Sequence, residues 1–161
     1  MPKKIDPLNK KQYRAVTNML TVTDVKTAAA FYQKALGFKK RGMMNGPDGK
    51  AMHAELVHRD SVIMLGPENP SMKGPKALGG VPSTLYLYVD NADKACARAV
   101  KAGATQVAPV MDQFWGDRAG ILADPEGHVW MIATHKAEPT PADMRKAMKK
   151  MAAPASGGAA A

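Results

Sequence analysis

Residues 19–37 read MLTVTDVKTAAAFYQKALG and residues 85–103 read LYLYVDNADKACARAVKAG, and the two stretches share one plan. Each opens with a short alternation of apolar and polar residues, the period of a strand with one buried face, and reaches an aspartate, Asp24 or Asp90. An alanine-rich run with helical spacing follows and stops at a glycine, Gly37 or Gly103, the residue that most readily takes the left-handed conformation closing a helix. The landmarks recur at an offset of 66 residues. Two copies are too few for a solenoid, which needs three or more units to bury a continuous core, so the repeat implies two similar modules in one domain.

Outward from these stretches, the pattern predicts a strand over Thr17 to Val22 and a helix capped by Thr23 or Asp24. Three further strands follow: Phe38 to Met44, Ala51 to His58 and Ser61 to Leu65, the last two joined tightly at Arg59-Asp60. The order is β-α-β-β-β. The second copy predicts a strand at Thr84 to Val89, a helix from about Ala92 to Ala102 and a strand near Gln106 to Val110. A loop containing Phe114 to Arg118 leads to a hairpin from about Gly120 to Thr134, turning at Asp124-Pro125-Glu126-Gly127. The expected division is a basic arm at 1–13, one domain at 14–136, a basic amphipathic helix at 137–151 and a disordered tail at 152–161. Within the domain, module 1 covers about 14–68, a glycine- and proline-rich linker about 69–81, and module 2 about 82–136.

The net charge of +9 is concentrated at the chain ends. Residues 1–14 carry Lys3, Lys4, Lys10, Lys11 and Arg14 against Asp6, and residues 136–161 carry Lys136, Arg145, Lys146, Lys149 and Lys150 against Glu138 and Asp143. A nucleic-acid reader is expected to show a basic stripe on its folded face with interleaved aromatics, so no nucleic-acid partner is expected. With no apolar run long enough to cross a bilayer and no signal-peptide core, neither a membrane partner nor secretion is expected, and a cytoplasmic protein is read. The single cysteine, Cys96, falls inside the second helical pattern and reads as a small buried residue.

The paired modules, together with HAELVHRDSVIML at 53–65 and FWGDRAGILADPEGHVW at 114–130, resemble the vicinal oxygen chelate superfamily of glyoxalases, extradiol dioxygenases and bleomycin-resistance proteins, in particular its PhnB-like or bleomycin-resistance-like branch. The resemblance covers about residues 14–136. It implies an α+β fold in which two tandem βαβββ modules form curved mixed sheets around a central cleft, and it implies a homodimer. Metal-dependent members place four ligands at the start and end of each module. Those positions fall here on Thr17, Met64, Thr84 (or Ser83) and Met131. Thioethers and neutral hydroxyls are poor ligands for the metals this superfamily uses, so no metal and no cofactor is expected, and transfer of an enzymatic activity from the fold alone is unsafe.

Strand parity indicates what lines the cleft instead. A two-residue turn at Arg59-Asp60 sets Glu55 opposite Met64, and cross-strand partners share a face. Thr17 and Met19, Thr84, Tyr86 and Tyr88, and Met131 follow by the same alternation. The expected ligand-binding set is Met19, His53, Glu55, Met64, Tyr86, Trp115, Arg118 and Met131. Methionines suit a surface that moulds itself to bulky organic ligands, although in a chain with twelve of them they equally suit a core. A cleft-facing Glu55 needs a partner, His53, Arg118 or a cationic ligand; it reads alternatively as a general base or as a solvated rim residue. Trp115 reads as a stacking aromatic or a loop anchor, and Asp117 with Arg118 as a pair that shapes the loop. His58, His128 and His135 read as solvent-facing, and Trp130 as core.

The leading expectation is therefore sequestration of a hydrophobic or aromatic small molecule with no catalytic residue. The alternative is a metal-free lyase or isomerase in which Glu55 and His53 move a proton on a carbonyl substrate. A third reading makes the basic ends the contact with a partner.

Overall fold

A computed structural model describes residues 15–152. The expected basic arm and all but the first residue of the expected tail lie outside the described residues. The elements are β1 (Asn18–Val22), α1 (Val25–Leu36), β2 (Lys39–Asn45), β3 (Ala51–His58) and β4 (Ser61–Pro67), then α2 (Pro75–Leu78) within the linker. The second module supplies β5 (Thr84–Tyr88), α3 (Ala92–Lys101), β6 (Thr105–Asp112), β7 (Asp117–Ala123) and β8 (Val129–His135), and α4 (Pro141–Ala152) follows.

The caps explain where the helices begin and end. Asp24 accepts the Thr27 backbone N–H at 2.7 Å, and Gly37 closes α1 with φ 76°. In the second module the cap is Asn91, one residue beyond the repeat landmark; it accepts the Lys94 N–H at 2.8 Å. Asp90 is thereby left to pair with Arg59, which ties the β3–β4 turn of module 1 to the start of α3.

Each module forms one mixed sheet, ordered β1-β4-β3-β2 and β5-β8-β7-β6, with the first pair parallel and the others antiparallel. The register sets Glu55 opposite Met64 and Val57 opposite Val62. The expectation of curved sheets wrapped around a central cleft is corrected: the sheets are neither curled nor closed. β1 and β2 end the first sheet and β5 and β6 the second, each pairing on one side only. Four strands are too few to close on themselves.

Alternation gives each sheet a helix-covered face and an open face. Leu20, Val22, Leu56, Ile63 and Leu65 of the first sheet, and Leu87, Leu122, Trp130 and Ile132 of the second, are buried with α1 and α3 in one continuous core. The helices meet through alanines, which keep their axes close, and Arg98 of α3 donates to the Ala35 carbonyl of α1 at 2.9 Å. Cys96 is buried here, and burial pushes its thiol up to about 11, in line with a packing role.

The β7–β8 turn fastens module 2 to module 1. Asp124, 7% exposed, accepts the backbone N–H groups of Glu126 and His128 on one oxygen, and Tyr32 Oη at 2.7 Å and Trp130 Nε1 at 2.9 Å on the other. Glu126 accepts from the Thr23 backbone N–H and hydroxyl, while His128 Nε2 donates to the Thr21 carbonyl at 2.9 Å. His128 is therefore buried, contrary to its reading as solvent-facing. His58 is also largely covered, its ring 5.4 Å from that of Phe38 and its Nε2 buried without a hydrogen-bond partner. Both lie at strand ends that the sequence leaves bare and that packing within and between the modules covers.

Candidate functional site

A groove of about 800 Å³ lies between the β3–β4 turn and β4 of module 1, with Asn18 at the start of β1, and β5 of module 2. Its lining includes Val16, Asn18 and Val62 from module 1, and Thr84, Tyr86, Tyr88 and His135 from module 2. Because β5 alternates, Leu87 is buried while Tyr86 and Tyr88 remain 43% and 46% exposed. Their rings lie 5.1 Å apart at 37°, a tilted pair presenting aromatic surface to the groove.

A buried carboxylate holds this pair. Asp117 is 2% exposed, and its Oδ2 accepts Tyr86 Oη at 2.5 Å, Tyr88 Oη at 3.1 Å and Trp115 Nε1 at 3.0 Å. Trp115 Nε1 also lies 3.2 Å from Tyr86 Oη, which places the indole beside the tyrosines. The other carboxylate oxygen faces His135 Nδ1 at 2.8 Å, and His135 Nε2 faces Glu138 Oε1 at 2.9 Å. Burial alone would raise the Asp117 pKa; the hydrogen bonds from Tyr86, His135, Trp115 and Tyr88 outweigh it and hold the carboxyl below its ordinary range. Desolvation and the bond to Asp117 push both tyrosines up, so they remain neutral donors. Asp117 and then Glu138 raise His135.

The local sequence builds this arrangement. Asp117 is the first residue of β7, not part of a loop, and the Asp124-to-His128 turn sets the register that puts it opposite His135. Gly116 just before it has φ 100°, and a Cβ there would stand 2.0 Å from the Ala137 carbonyl oxygen, so only glycine fits. The Gly116 carbonyl accepts the backbone N–H groups of Lys136 and Ala137, strapping the segment after β8 onto the Trp115 loop.

The other expected site residues divide. Met131 lies opposite Tyr86 on the open face of the second sheet. Met19, Met64 and Glu55 form a continuous row across β1, β4 and β3 on the open face of the first sheet. The Met19 methyl covers Gly66, where an added Cβ would stand 2.5 Å from it. None of the three lines the 800 Å³ groove. Glu55 meets His53 Nε2 at 3.6 Å, but its principal partner is Arg41 of β2 at 2.5 Å, a residue the pattern reading overlooked.

Arg118 is turned away. It lies on the opposite face of β7 from Asp117, binds Asp93 through two nitrogens at 2.7 Å and Asp112 at 3.1 Å, and the expected Asp117–Arg118 pair does not form. Adjacent strand residues point to opposite faces, which forbids that pair. Asp117 and His135 are the functional candidates that sequence reasoning missed. Counting outward from the Asp124-to-His128 turn pairs 117 with 135, so their meeting was there to be read.

The donor set at the superfamily's ligand positions, two hydroxyls (Thr17, Thr84) and two thioethers (Met64, Met131), does not fit a hard or borderline divalent metal. Among the described residues no group of three or more His, Cys, Asp or Glu could hold a metal ion, and no helix is long and apolar enough to cross a membrane.

A family model described as Glyoxalase/Bleomycin resistance protein/Dioxygenase superfamily matches residues 14–132. The chain belongs to this superfamily. Among sequence relatives, the uncharacterized protein Rv0887c of Mycobacterium tuberculosis is 42% identical over 123 residues, covering 73% of this chain and 72% of that protein. Among solved structures, TioX from Micromonospora sp. ML1 is 26% identical with a TM-score of 0.61, covering 74% of this chain and 97% of that one. TnmS3 from Streptomyces sp. CB03234, described as an antibiotic binding protein, is 22% identical with a TM-score of 0.59, covering 77% of this chain and all of that one (100%). The last likeness carries the fold alone.

Proposed function

We propose that this superfamily member binds and sequesters a hydrophobic or aromatic small molecule in the groove between β4 and β5, without a metal and without turnover. The observation that carries the reading is the Tyr86–Tyr88 pair: two half-exposed aromatic rings on the groove wall, their hydroxyls fixed by the buried Asp117. Large aromatics left exposed are usually mobile. Here their orientation is set before any ligand arrives, which reduces the ordering cost of binding. The groove is of a size that takes a drug-sized molecule, and aromatic walls with a few fixed polar groups are the usual make-up of such sites. TnmS3 supports the reading to the extent that the same fold serves a protein described as antibiotic binding.

The proton-transfer alternative rests on Glu55 and His53. Both oxygens of Glu55 already face partners, Arg41 and His53, and the cluster lies away from the groove, so the geometry favours a structural pair there.

Titration of the protein with a panel of planar aromatic compounds, followed by Trp115 fluorescence and repeated in Tyr86→Ala, tests the proposal. Saturable quenching in the wild type that weakens in the variant is expected. Absence of saturable quenching across the panel, or consumption of a bound compound, would overturn it.

A further inference from the structure

His135 sits between two carboxylates. Its Nδ1 is 2.8 Å from Asp117 Oδ1 and its Nε2 is 2.9 Å from Glu138 Oε1. An ionised carboxylate oxygen only accepts hydrogen bonds, whereas a neutral imidazole has one N–H and one lone pair. A neutral ring would satisfy one carboxylate and aim its lone pair at the other; a ring protonated on both nitrogens satisfies both. Asp117 receives three further donors on its other oxygen, and the Glu138 side chain is 91% exposed.

From this geometry we infer that His135 is a positioning residue that works as an imidazolium: its two N–H groups tie the segment after β8 to the Asp117–tyrosine platform, and loss of one proton slackens the platform and weakens ligand binding. The inference rests on the platform being the binding surface and adds its regulation by pH. Two backbone bonds, from Lys136 and Ala137 to Gly116, hold the same segment to the Trp115 loop, so a change at Glu138 or His135 is communicated to the indole that shares Asp117.

Among the described residues, charged and titratable groups reach His135 from three directions. Asp117 faces it from β7, and Tyr86 and Tyr88 of β5 reach it through Asp117. Glu138 faces it from the following segment, and Lys136 is its chain neighbour. Arg59, Asp60 and Asp90 share the groove, with Arg59 and Asp90 paired to each other. Asp117 and Glu138 raise His135 above its ordinary value of 6.5. The sign follows: the doubly bonded arrangement is complete below that ordinary value and is lost as pH rises through the raised one.

The test uses the full chain from pH 5.5 to 9.5 with two readouts: nuclear magnetic resonance of the His135 ring and the Trp115 indole N–H, and affinity for the neutral fluorescent aromatic N-phenyl-1-naphthylamine. The expected result is a doubly protonated His135 ring at pH 6.5, with the Trp115 resonance shifting at the same midpoint. Probe affinity should fall about tenfold across it, the order of one charge-assisted hydrogen bond. Glu138→Gln, at an exposed position, should lower the midpoint, and His135→Gln should flatten the pH dependence. A singly protonated ring at pH 6.5, a Trp115 resonance that ignores the His135 midpoint, or a probe affinity constant with pH would overturn the inference. Should the probe fail to bind at any pH, the binding reading fails for it, and the two resonance midpoints alone decide: coincidence upholds the role of His135 and separation overturns it.

Discussion

The two ends of β7 carry the same device in different settings. At one end Asp124 holds Tyr32 and Trp130; at the other Asp117 holds Tyr86, Tyr88 and Trp115. In both, one carboxylate oxygen collects a tyrosine hydroxyl and an indole N–H. The Asp124 cluster is closed on every side, with Tyr32 fully buried and Trp130 2% exposed, and it joins the modules. The Asp117 cluster opens its two tyrosine rings onto the groove, and its second oxygen goes to a half-exposed histidine instead of to backbone. A buried carboxylate thus fixes aromatic rings equally well in a core and at a surface. Exposure of the rings separates a structural cluster from the proposed binding platform.

Removing each carboxylate should have the largest effects. Asp124→Ala leaves the Tyr32 hydroxyl, the Trp130 N–H and two backbone N–H groups without an acceptor in the core, and a stability loss of at least about 3 kcal/mol is expected by denaturant unfolding. Asp117→Ala should cost less, about 1–2 kcal/mol, because the freed tyrosine hydroxyls can reach water. Its larger effect should be on affinity for an aromatic ligand, which should drop at least about tenfold as the rings lose their fixed orientation. Equal stability losses would show that the two clusters have one role.

Tyr86→Ala, which deletes one wall of the groove, should weaken aromatic binding about tenfold, with stability changing by less than about 1 kcal/mol at this half-exposed position. The smallest effect is expected at Glu55. Glu55→Gln removes the charge from partly exposed contacts with Arg41 and His53 and should change stability by about 0.5 kcal/mol and leave binding unaltered. A retained ligand with lost turnover in this variant would instead favour the proton-transfer alternative.

What could be read from the chain was whatever local patterning controls. The repeat of residues 19–37 in 85–103 marks both modules, and the tight turn at Arg59-Asp60 sets Glu55 opposite Met64. Alternation along β5 separates Leu87 from Tyr86 and Tyr88. Failures came where distant strands or chain segments decide. The open edges of both sheets depend on how many strands pair, which no single stretch encodes. Arg118 reads from the sequence as a cleft residue and possible partner of Glu55, yet its position in β7 sends it to Asp93 of α3 and Asp112 of β6. Asp117 reads from the sequence as a loop residue, since its strand partner His135 is 18 residues away and follows a turn. Arg41 was missed as the partner of Glu55 because a shift in pairing between Lys40 and Gly42 disturbs the simple count along β2.

Mapping a bound aromatic ligand onto the two open surfaces at once decides where it sits. Methyl resonances of Met19 and Met64 report the first sheet, and the Trp115 indole N–H reports the platform. The account predicts that a saturating aromatic ligand moves the Trp115 resonance and leaves the Met19 and Met64 methyls in place. Movement of those methyls with Trp115 unchanged would contradict it and put the ligand on the methionine row of the first sheet.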